Sequence, residues 1–253
     1  MSNWKAAYEL LAAGLTDRGV DVEQIKGLLK AQRIETPSWG YADSGTRFNV
    51  FKQPGAALTI QEKLDDAAQV HKFTGVTPTV AVHVAWDFVA GVDPQEVVKY
   101  AQSRGVQVGA INPTMFQEQF YLNGAIANAD PKVRRHVVDH MLHSVDIGRQ
   151  VGSEVLSLWF ADGTNYPGQG DFVRRKHWVS ECLQEVYAAM PPTMRMMVEY
   201  KLFEPGFYHT DIADWGMAYV FCRQCGPQAQ VLVDLHKRSR AAQAQIEHYT
   251  QEQ

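Results

Sequence analysis

Apolar residues recur along the chain with two different periods, and this pattern predicts the secondary structure. Spacings of three and four residues predict helices, and short apolar runs predict strands. The predicted helices cover residues 4–19, Val22–Ala31, 59–73, 93–105, 130–152, Phe172–Ala189 and 210–226. The predicted strands are Ile34–Trp39, Thr79–Trp86, Val106–Ile111, Val155–Phe160, Met196–Tyr200 and Val231–Leu235.

Capping residues mark where the helices begin. Thr59 and Glu62 have the spacing of a capping box, and Asp-Pro pairs begin at Asp93 and Asp130. Either Thr210 or Asp211 is expected to cap the last helix, which stops at Gly226-Pro227.

The strict alternation of strand and helix predicts a parallel sheet with helices outside it. About six strand-helix units are found, whereas a closed barrel has eight. The predicted fold is therefore α/β, an incomplete (β/α) TIM barrel with an N-terminal helical segment. Residues 1–235 form the barrel domain, with the N-terminal helices within residues 1–32. Residues 236–253 form a divergent polar tail.

Two carboxylates follow neighbouring strands of the predicted sheet. Glu199 ends the apolar run Met196–Val198, and Asp234 ends the run Val231–Val233. Because parallel strands carry their chemistry at their C-terminal ends, the two side chains are expected close together. Paired carboxylates suit a divalent cation, and Lys201 could polarise a substrate oxygen. The alternative is a pair of solvated loop residues.

Aromatic and polar residues lie at the other strand ends. They are Trp39, His83, Asn112, Phe116 and Trp159. Flat apolar walls beside hydrogen-bonding groups are typical of a sugar pocket. Taken singly, a tryptophan or histidine at such a place is more often a core residue.

Composition narrows the class of protein. A length of 253 residues fits one β/α barrel. The net charge of -4, without a basic run, argues against nucleic acid as a partner. No segment resembles a signal peptide or a membrane span, and the three cysteines suggest no disulfide framework. We expect a cytoplasmic protein.

Two further patterns, a pair of cysteines and a row of histidines, are not expected to form functional sites. The Cys222–Cys225 motif lies at the end of its predicted helix, whereas redox pairs gain from a helix N-terminus. His136, His140 and His143 share one helix face that we expect far from the barrel mouth. A solvated or interface face is the expected explanation there.

An ordered set of motifs resembles the broad-specificity bacterial L-rhamnose isomerases of the xylose isomerase-like superfamily. The matching stretches cover about residues 19–235. They are Pro37-Ser38-Trp39-Gly40, Gly45-Thr46-Arg47-Phe48, Lys63-Leu64-Asp65-Asp66, His83 with Trp86-Asp87, Asn112 with Thr114 and Phe116, Asp162-Gly163-Thr164-Asn165, Pro167-Gly168-Gln169, Glu199-Tyr200-Lys201 with Glu204-Pro205, Asp214-Trp215-Gly216, and Val233-Asp234-Leu235.

The resemblance implies a homo-oligomeric enzyme that interconverts an aldose and a ketose with a divalent metal, usually manganese. It implies that Glu199 and Asp234 bind the metal and that Lys201 lies beside the substrate oxygen. His83 would lie near the ring oxygen of the monosaccharide. The aromatic walls implied are Trp39, Phe116 and Trp159.

The sequence departs from the family after Asp234. Family members have Gly-His-His there, whereas this chain has His236-Lys237 and then diverges. His236 is the remaining candidate for a third metal ligand. Two other hypotheses stay open: a shortened family member that binds sugar or partner subunits without catalysis, and a superfamily relative that cleaves DNA at abasic sites.

Overall fold

The computed structural model describes residues 3–43, 51–165, 169–202 and 207–234. Helices alternate with strands through most of this length. The helices are α1 (Trp4–Asp17), α2 (Val22–Ala31), α3 (Ile60–Thr74), α4 (Val84–Asp87), α5 (Pro94–Ser103), α6 (Pro131–Val151), α7 (Phe172–Ala189) and α8 (Trp215–Cys225). The strands are β1 (Glu35–Pro37), β2 (Thr79–His83), β3 (Gln107–Asn112), β4 (Val155–Trp159), β5 (Gly163–Thr164), β6 (Arg195–Glu199), β7 (His209–Thr210) and β8 (Ala229–Leu232).

Six of the strands form one parallel sheet in the order β1-β2-β3-β4-β6-β8. Within the described ranges β1 and β8 are its two edges, so the sheet does not close into a barrel. The predicted fold class, an α/β sheet of the incomplete TIM-barrel type, is confirmed, with six parallel strands in the described residues.

Alternate residues of the strands fill the layer between sheet and helices. Leu156 and Leu158 of β4 and Met196 and Val198 of β6 have no exposed surface. The intervening residues, such as Trp159 and Glu199, point to the opposite face because strand side chains alternate. That opposite face, which lines the inside of a closed barrel, carries the candidate site.

Predicted caps begin three of the helices, α3, α5 and α6. Thr59 and Glu62 form the reciprocal capping box at the start of α3. Asp93 and Asp130 cap α5 and α6, each followed by a proline in the first turn. Gly152 ends α6 with a φ of 73°, a left-handed conformation that suits glycine.

Several predicted boundaries were wrong. Strand β2 ends at His83 and not at Trp86, because Asp87 accepts the backbone N–H of His83 and the chain turns into α4. Asp214, not Thr210 or Asp211, caps α8. Strand β8 starts earlier than predicted and ends at Leu232, so Asp234 lies two residues beyond it.

The N-terminal helices differ from the rest of the fold. Neither α1 nor α2 contains a buried residue, although both have the predicted apolar face. Leu10, Leu11, Leu28 and Leu29 are each more than half exposed. No helix in the described part of the chain is both long and apolar enough to cross a membrane.

Candidate active site

The candidate site residues lie along one edge of the parallel sheet. His83, Asn112, Trp159 and Glu199 are the last residues of β2, β3, β4 and β6. The remaining candidates, Trp39, Phe116, Lys201 and Asp234, follow their strands by two to four residues. The carboxyl ends of parallel strands thus bring them to one edge, as in barrel enzymes.

Aromatic rings form a continuous cluster along this edge. His83 stacks on Trp86 at a centroid distance of 3.7 Å, and Trp39 meets the His83 ring edge-on at 5.7 Å. Phe116 lies 6.3 Å from His83 and 5.1 Å from Trp159, both edge-on. Such perpendicular contacts are favourable, so each ring helps to fix the next.

Strand register extends this line from the aromatic rings to the carboxylates. Trp159 pairs with Glu199, and Glu199 pairs with Leu232, so these side chains share a face. Asp234 lies two residues past Leu232, and its backbone carbonyl accepts a hydrogen bond of 3.0 Å from the Tyr200 hydroxyl. One arc of neighbours therefore runs from Trp39 to the segment that carries Asp234.

A buried ion pair supports the aromatic end of the arc. Lys63 of α3 donates to Asp87 at 2.6 Å, and both side chains are almost fully enclosed. The other Asp87 oxygen accepts the Ser38 hydroxyl and the His83 backbone N–H. Asp87 therefore ties together the segments that follow β1 and β2, which carry Trp39 and Trp86.

His83 is also held through its ring. The Thr114 hydroxyl lies 2.6 Å from His83 Nδ1, and the Thr114 backbone N–H donates to Nε2 of His140 at 3.0 Å. Burial lowers the pKa of His83 to about 3, and His140 and Lys63 add to this. Burial likewise lowers the pKa of His140 to about 4. Both imidazoles are neutral at neutral pH.

Asn112 uses its amide to join two strands. Its Nδ2 group donates to the Val82 carbonyl at 3.1 Å and lies 3.4 Å from the Ala110 carbonyl. Asn112 also pairs with His83 in register. The side chain is therefore anchored next to His83.

A second buried polar cluster holds the loops at the other end of the arc. Arg175 of α7 makes a bidentate contact with Asp211, at 3.0 and 2.7 Å. Its guanidinium also donates to the Gly163 carbonyl at 3.0 Å. The backbone N–H of Asp211 donates to the Asp162 carbonyl. These contacts hold the two-stranded ribbon of β5 and β7 against α7.

Asp162 extends this cluster to the loop after β3. One of its oxygens accepts the backbone N–H groups of Ala125 and Ala127, at 2.7 and 2.8 Å. Gly124 has a φ of 104°, and a Cβ there would lie 2.9 Å from that oxygen, so glycine is needed. Complete burial raises the pKa of Asp162 to about 6, and the nearby Asp211 charge adds to the effect.

Lys201 lies inside this second region. It is 1% exposed, and its ammonium group lies 5.5 Å from the centre of the Tyr208 ring and 3.3 Å from the Leu202 carbonyl. Its backbone N–H donates to Ile212, and its carbonyl accepts the Thr210 hydroxyl. The prediction that Lys201 shares one cavity with Trp39, His83, Phe116 and Trp159 stays a prediction.

The predicted metal ligands are only partly within the described residues. Glu199 and Asp234 follow neighbouring strands, but His236 lies outside the described ranges. No group of three or more histidine, cysteine or carboxylate side chains in the described part could hold a metal ion. A divalent cation needs more ligands than two carboxylates, so these residues alone do not make a complete site.

Three polar residues of the site, two of them buried and one half-buried, could have been found from the helix pattern. Lys63 lies on the apolar stripe of α3, and Arg175 on that of α7. A charge on a buried stripe indicates an ion pair. His140 lies beside the buried Val137 and Met141 of α6 and reaches Thr114, so the prediction that it lies far from the mouth was wrong.

The Cys222–Cys225 motif lies at the C-terminal end of α8, as predicted. Burial raises the pKa of both thiols to about 11. Thiolates are the reactive form of cysteine, so these two side chains are poor redox nucleophiles.

Sequence relatives of this chain are described as sugar isomerases. A probable sugar isomerase of Rhizobium meliloti is 37% identical over 233 residues, which are 90% of this chain and 54% of that protein. One from Mesorhizobium japonicum is 34% identical over the same shares. The chain thus spans about half the length of these relatives. No family model matches it.

Solved structures with a similar fold have very different sequences. A D-allulose 3-epimerase from Methylomonas sp. has a TM-score of 0.56 at 12% identity and covers 79% of this chain and 62% of its own. A family 2 AP endonuclease from Brucella melitensis has a TM-score of 0.55 at 15% identity, covering 81% and 69%. At such identities the likeness shows the fold alone.

Proposed function

We propose that this chain carries the sugar site of an aldose-ketose isomerase. One observation carries the proposal: a buried histidine within an aromatic wall lies in the same arc of strand ends as Glu199. Aromatic faces suit the C–H surfaces of a monosaccharide, and polar groups beside them suit its hydroxyls. The relatives described as sugar isomerases support this chemistry over that of the endonuclease fold neighbour.

The substrate proposed is L-rhamnose, converted to L-rhamnulose, with related aldoses as further substrates. The support is the ordered set of motifs that resembles the L-rhamnose isomerases. In this assignment Trp39, Phe116 and Trp159 form the apolar wall, and Asn112, which lies beside His83, also binds the sugar. His83 would interact with the ring oxygen of the sugar.

The reaction moves one hydrogen from C2 to C1 and one from the hydroxyl on C2 to the oxygen on C1. Atoms and electrons balance within the sugar, so no external oxidant is needed. In this proposal the Lys201 ammonium group would stabilise the negative charge developing on a substrate oxygen. A hydride shift and an enediol route with a protein base are both compatible with these residues.

Manganese is the proposed cofactor, with Glu199, Asp234 and His236 as its ligands. A divalent metal would polarise the substrate carbonyl when bound. The proposal rests on the resemblance and on the positions of Glu199 and Asp234 at neighbouring strand ends. Glu199 and Asp234 alone do not complete the site, so the proposal needs His236 as a third ligand.

The test compares turnover with binding. The purified chain is freed of metal with EDTA, supplied with Mn²⁺ or not, and assayed for L-rhamnulose formation. Glu199→Gln and Asp234→Asn are each expected to lower turnover by at least about tenfold. Asp139→Asn, an exposed change on α6, is the matched control. The proposed homo-oligomer is checked by size-exclusion chromatography with light scattering.

Tryptophan fluorescence separates the alternatives. Trp39 and Trp159 lie in the proposed wall and Trp86 stacks on His83 beside it, so sugar binding should change their emission. Binding without turnover, with or without metal, would support the alternative of a non-catalytic sugar-binding chain. If the chain neither binds nor converts any aldose tested, the proposal is wrong.

A further inference from the structure

We infer that His140 is a positioning residue of this site, which acts through Thr114 to fix the ring orientation and tautomer of His83. The inference rests on the proposed function, because it assigns how the candidate sugar-binding histidine is held. His140 belongs to α6, on the helical layer, whereas His83 ends a strand. Thr114 is the residue that connects the two layers.

The first link is the bond between His140 and the loop after β3. The Thr114 backbone N–H donates to His140 Nε2 at 3.0 Å. Since Nε2 accepts this bond, the ring proton of a neutral His140 must be on Nδ1. Thr114 is 2% exposed, so its N–H would lose its partner if the acceptor were removed.

The second link is the bond between Thr114 and His83. The Thr114 hydroxyl and His83 Nδ1 are 2.6 Å apart, a short distance for such a bond. In a neutral imidazole one nitrogen is a donor and the other an acceptor. A hydroxyl can donate or accept, so the bond is compatible with either tautomer and in both cases leaves Nε2 as the ring nitrogen for the sugar. In this proposal the buried hydroxyl keeps one direction, and His83 thereby keeps one tautomer.

The other contacts of His83 fix its position but not its tautomer. Trp86 stacks on the ring, Trp39 and Phe116 meet it edge-on, and Asp87 accepts only its backbone N–H. The bond to Thr114 is therefore the contact that bears on where the ring proton lies. The depressed pKa values of both histidines are consistent with two neutral rings at neutral pH.

Nitrogen NMR of the histidine rings tests this without any substrate. In protein labelled with ¹⁵N at its nine histidines, the signals of His83 are assigned by their loss in His83→Gln. The wild-type chain should show one neutral tautomer of His83. Thr114→Val removes the hydroxyl with little change of shape and should give a mixture of the two tautomers, whereas Thr114→Ser should restore one.

Changes on α6 test the outer link. His140→Phe removes the acceptor and should perturb the His83 signals, whereas His140→Gln keeps an acceptor oxygen and should perturb them less. The exposed His143→Gln is the control and should leave them unchanged. A His83 tautomer that is unaffected by both Thr114→Val and His140→Phe, in folded protein, would overturn the inference.

An activity measurement then connects the positioning to the reaction. Thr114→Val should lower kcat/KM for the aldose by about tenfold, a part of what a positioned acid or base contributes, with Thr114→Ser close to wild type. If the wild-type chain neither binds nor converts sugar, the proposed function fails while the tautomer result stands. If Thr114→Val mixes the tautomers but leaves kcat/KM unchanged, the positioning role is wrong.

Discussion

Two buried ion pairs hold the two ends of the candidate site, and they differ in how their charges balance. At the aromatic end, Lys63 faces the single carboxylate of Asp87. At the other end, Arg175 faces Asp211, and the carboxylate of Asp162 is buried close by. The first ion pair therefore joins one base and one acid, whereas in the second Arg175 lies close to two acidic groups, Asp211 and Asp162.

This difference, together with burial, makes the two ends respond to pH in opposite directions. Burial beside Lys63 and His140 lowers the pKa of His83 to about 3, so the aromatic end favours a neutral base. Burial beside Asp211 raises the pKa of Asp162 to about 6, so the second end favours a neutral acid. The aromatic end should lose stability as pH falls, and the second end as pH rises.

The largest expected effect comes from breaking the balanced pair. Lys63→Met leaves Asp87 charged and buried without its partner, and we expect a loss of about 3–5 kcal/mol in the free energy of unfolding. Urea denaturation measures it, and Lys72→Met on the exposed face of α3 should stay within about 0.5 kcal/mol. The double change Lys63→Met with Asp87→Asn should recover part of the loss. A double variant no more stable than Lys63→Met would contradict this account.

The next effect is the pH dependence at Asp162. Its pKa is raised from 3.8 to about 6. The contribution of Asp162 to the free energy of unfolding is therefore complete below about pH 4 and is lost as pH rises through 6. The shift corresponds to about 3 kcal/mol. Asp162→Asn keeps one oxygen for the two backbone N–H groups but cannot ionise. The variant should therefore gain up to about 3 kcal/mol relative to wild type between pH 4 and pH 7.

Denaturation curves at several pH values measure this gain. Asp139→Asn, whose side chain is exposed on α6, should show no comparable trend. A constant difference between Asp162→Asn and wild type over this range would show that Asp162 is charged in the folded protein at an ordinary pKa.

The opposite sign is expected at His83. Its folded pKa is lowered from 6.5 to about 3. The contribution of His83 to the free energy of unfolding is therefore present above pH 6.5 and is lost as pH falls toward 3. Between pH 6.5 and pH 5 this amounts to about 2 kcal/mol. His83→Gln should abolish that part of the acid sensitivity, whereas His177→Gln, on an exposed side chain, should not. Equal slopes for wild type and His83→Gln would contradict the prediction.

Sequence periodicity was sufficient for most of the architecture. Local signals, such as the Thr59–Glu62 box and Gly152, fixed helix boundaries because a cap depends on residues within one turn. The prediction for β2 was too long because a long-range ion pair places Asp87 where it accepts the His83 N–H. Likewise, Asp211 does not cap α8, because its carboxylate binds Arg175.

The candidate site was predictable where it follows the strand ends. Glu199 and Asp234 were assigned to neighbouring strands by counting residues, and β6 and β8 do pair, but Glu199 pairs with Leu232 and Asp234 lies two residues beyond β8. His140 and Thr114 were not predicted as a link to His83, because that link joins α6 to the loop after β3. Contacts between two layers depend on how helices and strands pack, and the apolar periodicity of a single segment does not predict that packing.

The smallest expected effect is that of a substitution in the Arg175–Asp211 ion pair that keeps the charge but changes the geometry. Arg175→Lys keeps the positive charge opposite Asp211 but cannot reproduce the bidentate contact together with the bond to the Gly163 carbonyl. We expect a loss of about 1–2 kcal/mol in the free energy of unfolding, near the lower end of what a bond to a charged group contributes, because lysine keeps the charge. Arg174→Lys is the matched control, because its side chain is 73% exposed and its contact with Asp171 is 3.3 Å long.

The same variant also acts on Asp162 without touching it. If the guanidinium fork holds the ribbon of β5 and β7 in place, Arg175→Lys should loosen the loop that buries Asp162 and move its pKa down from about 6. The pH dependence between pH 4 and pH 7 would then become shallower than in wild type. If Arg175→Lys changes neither the pH dependence of stability nor the denaturation midpoint, the positive charge alone, and not the guanidinium fork, holds this end of the site.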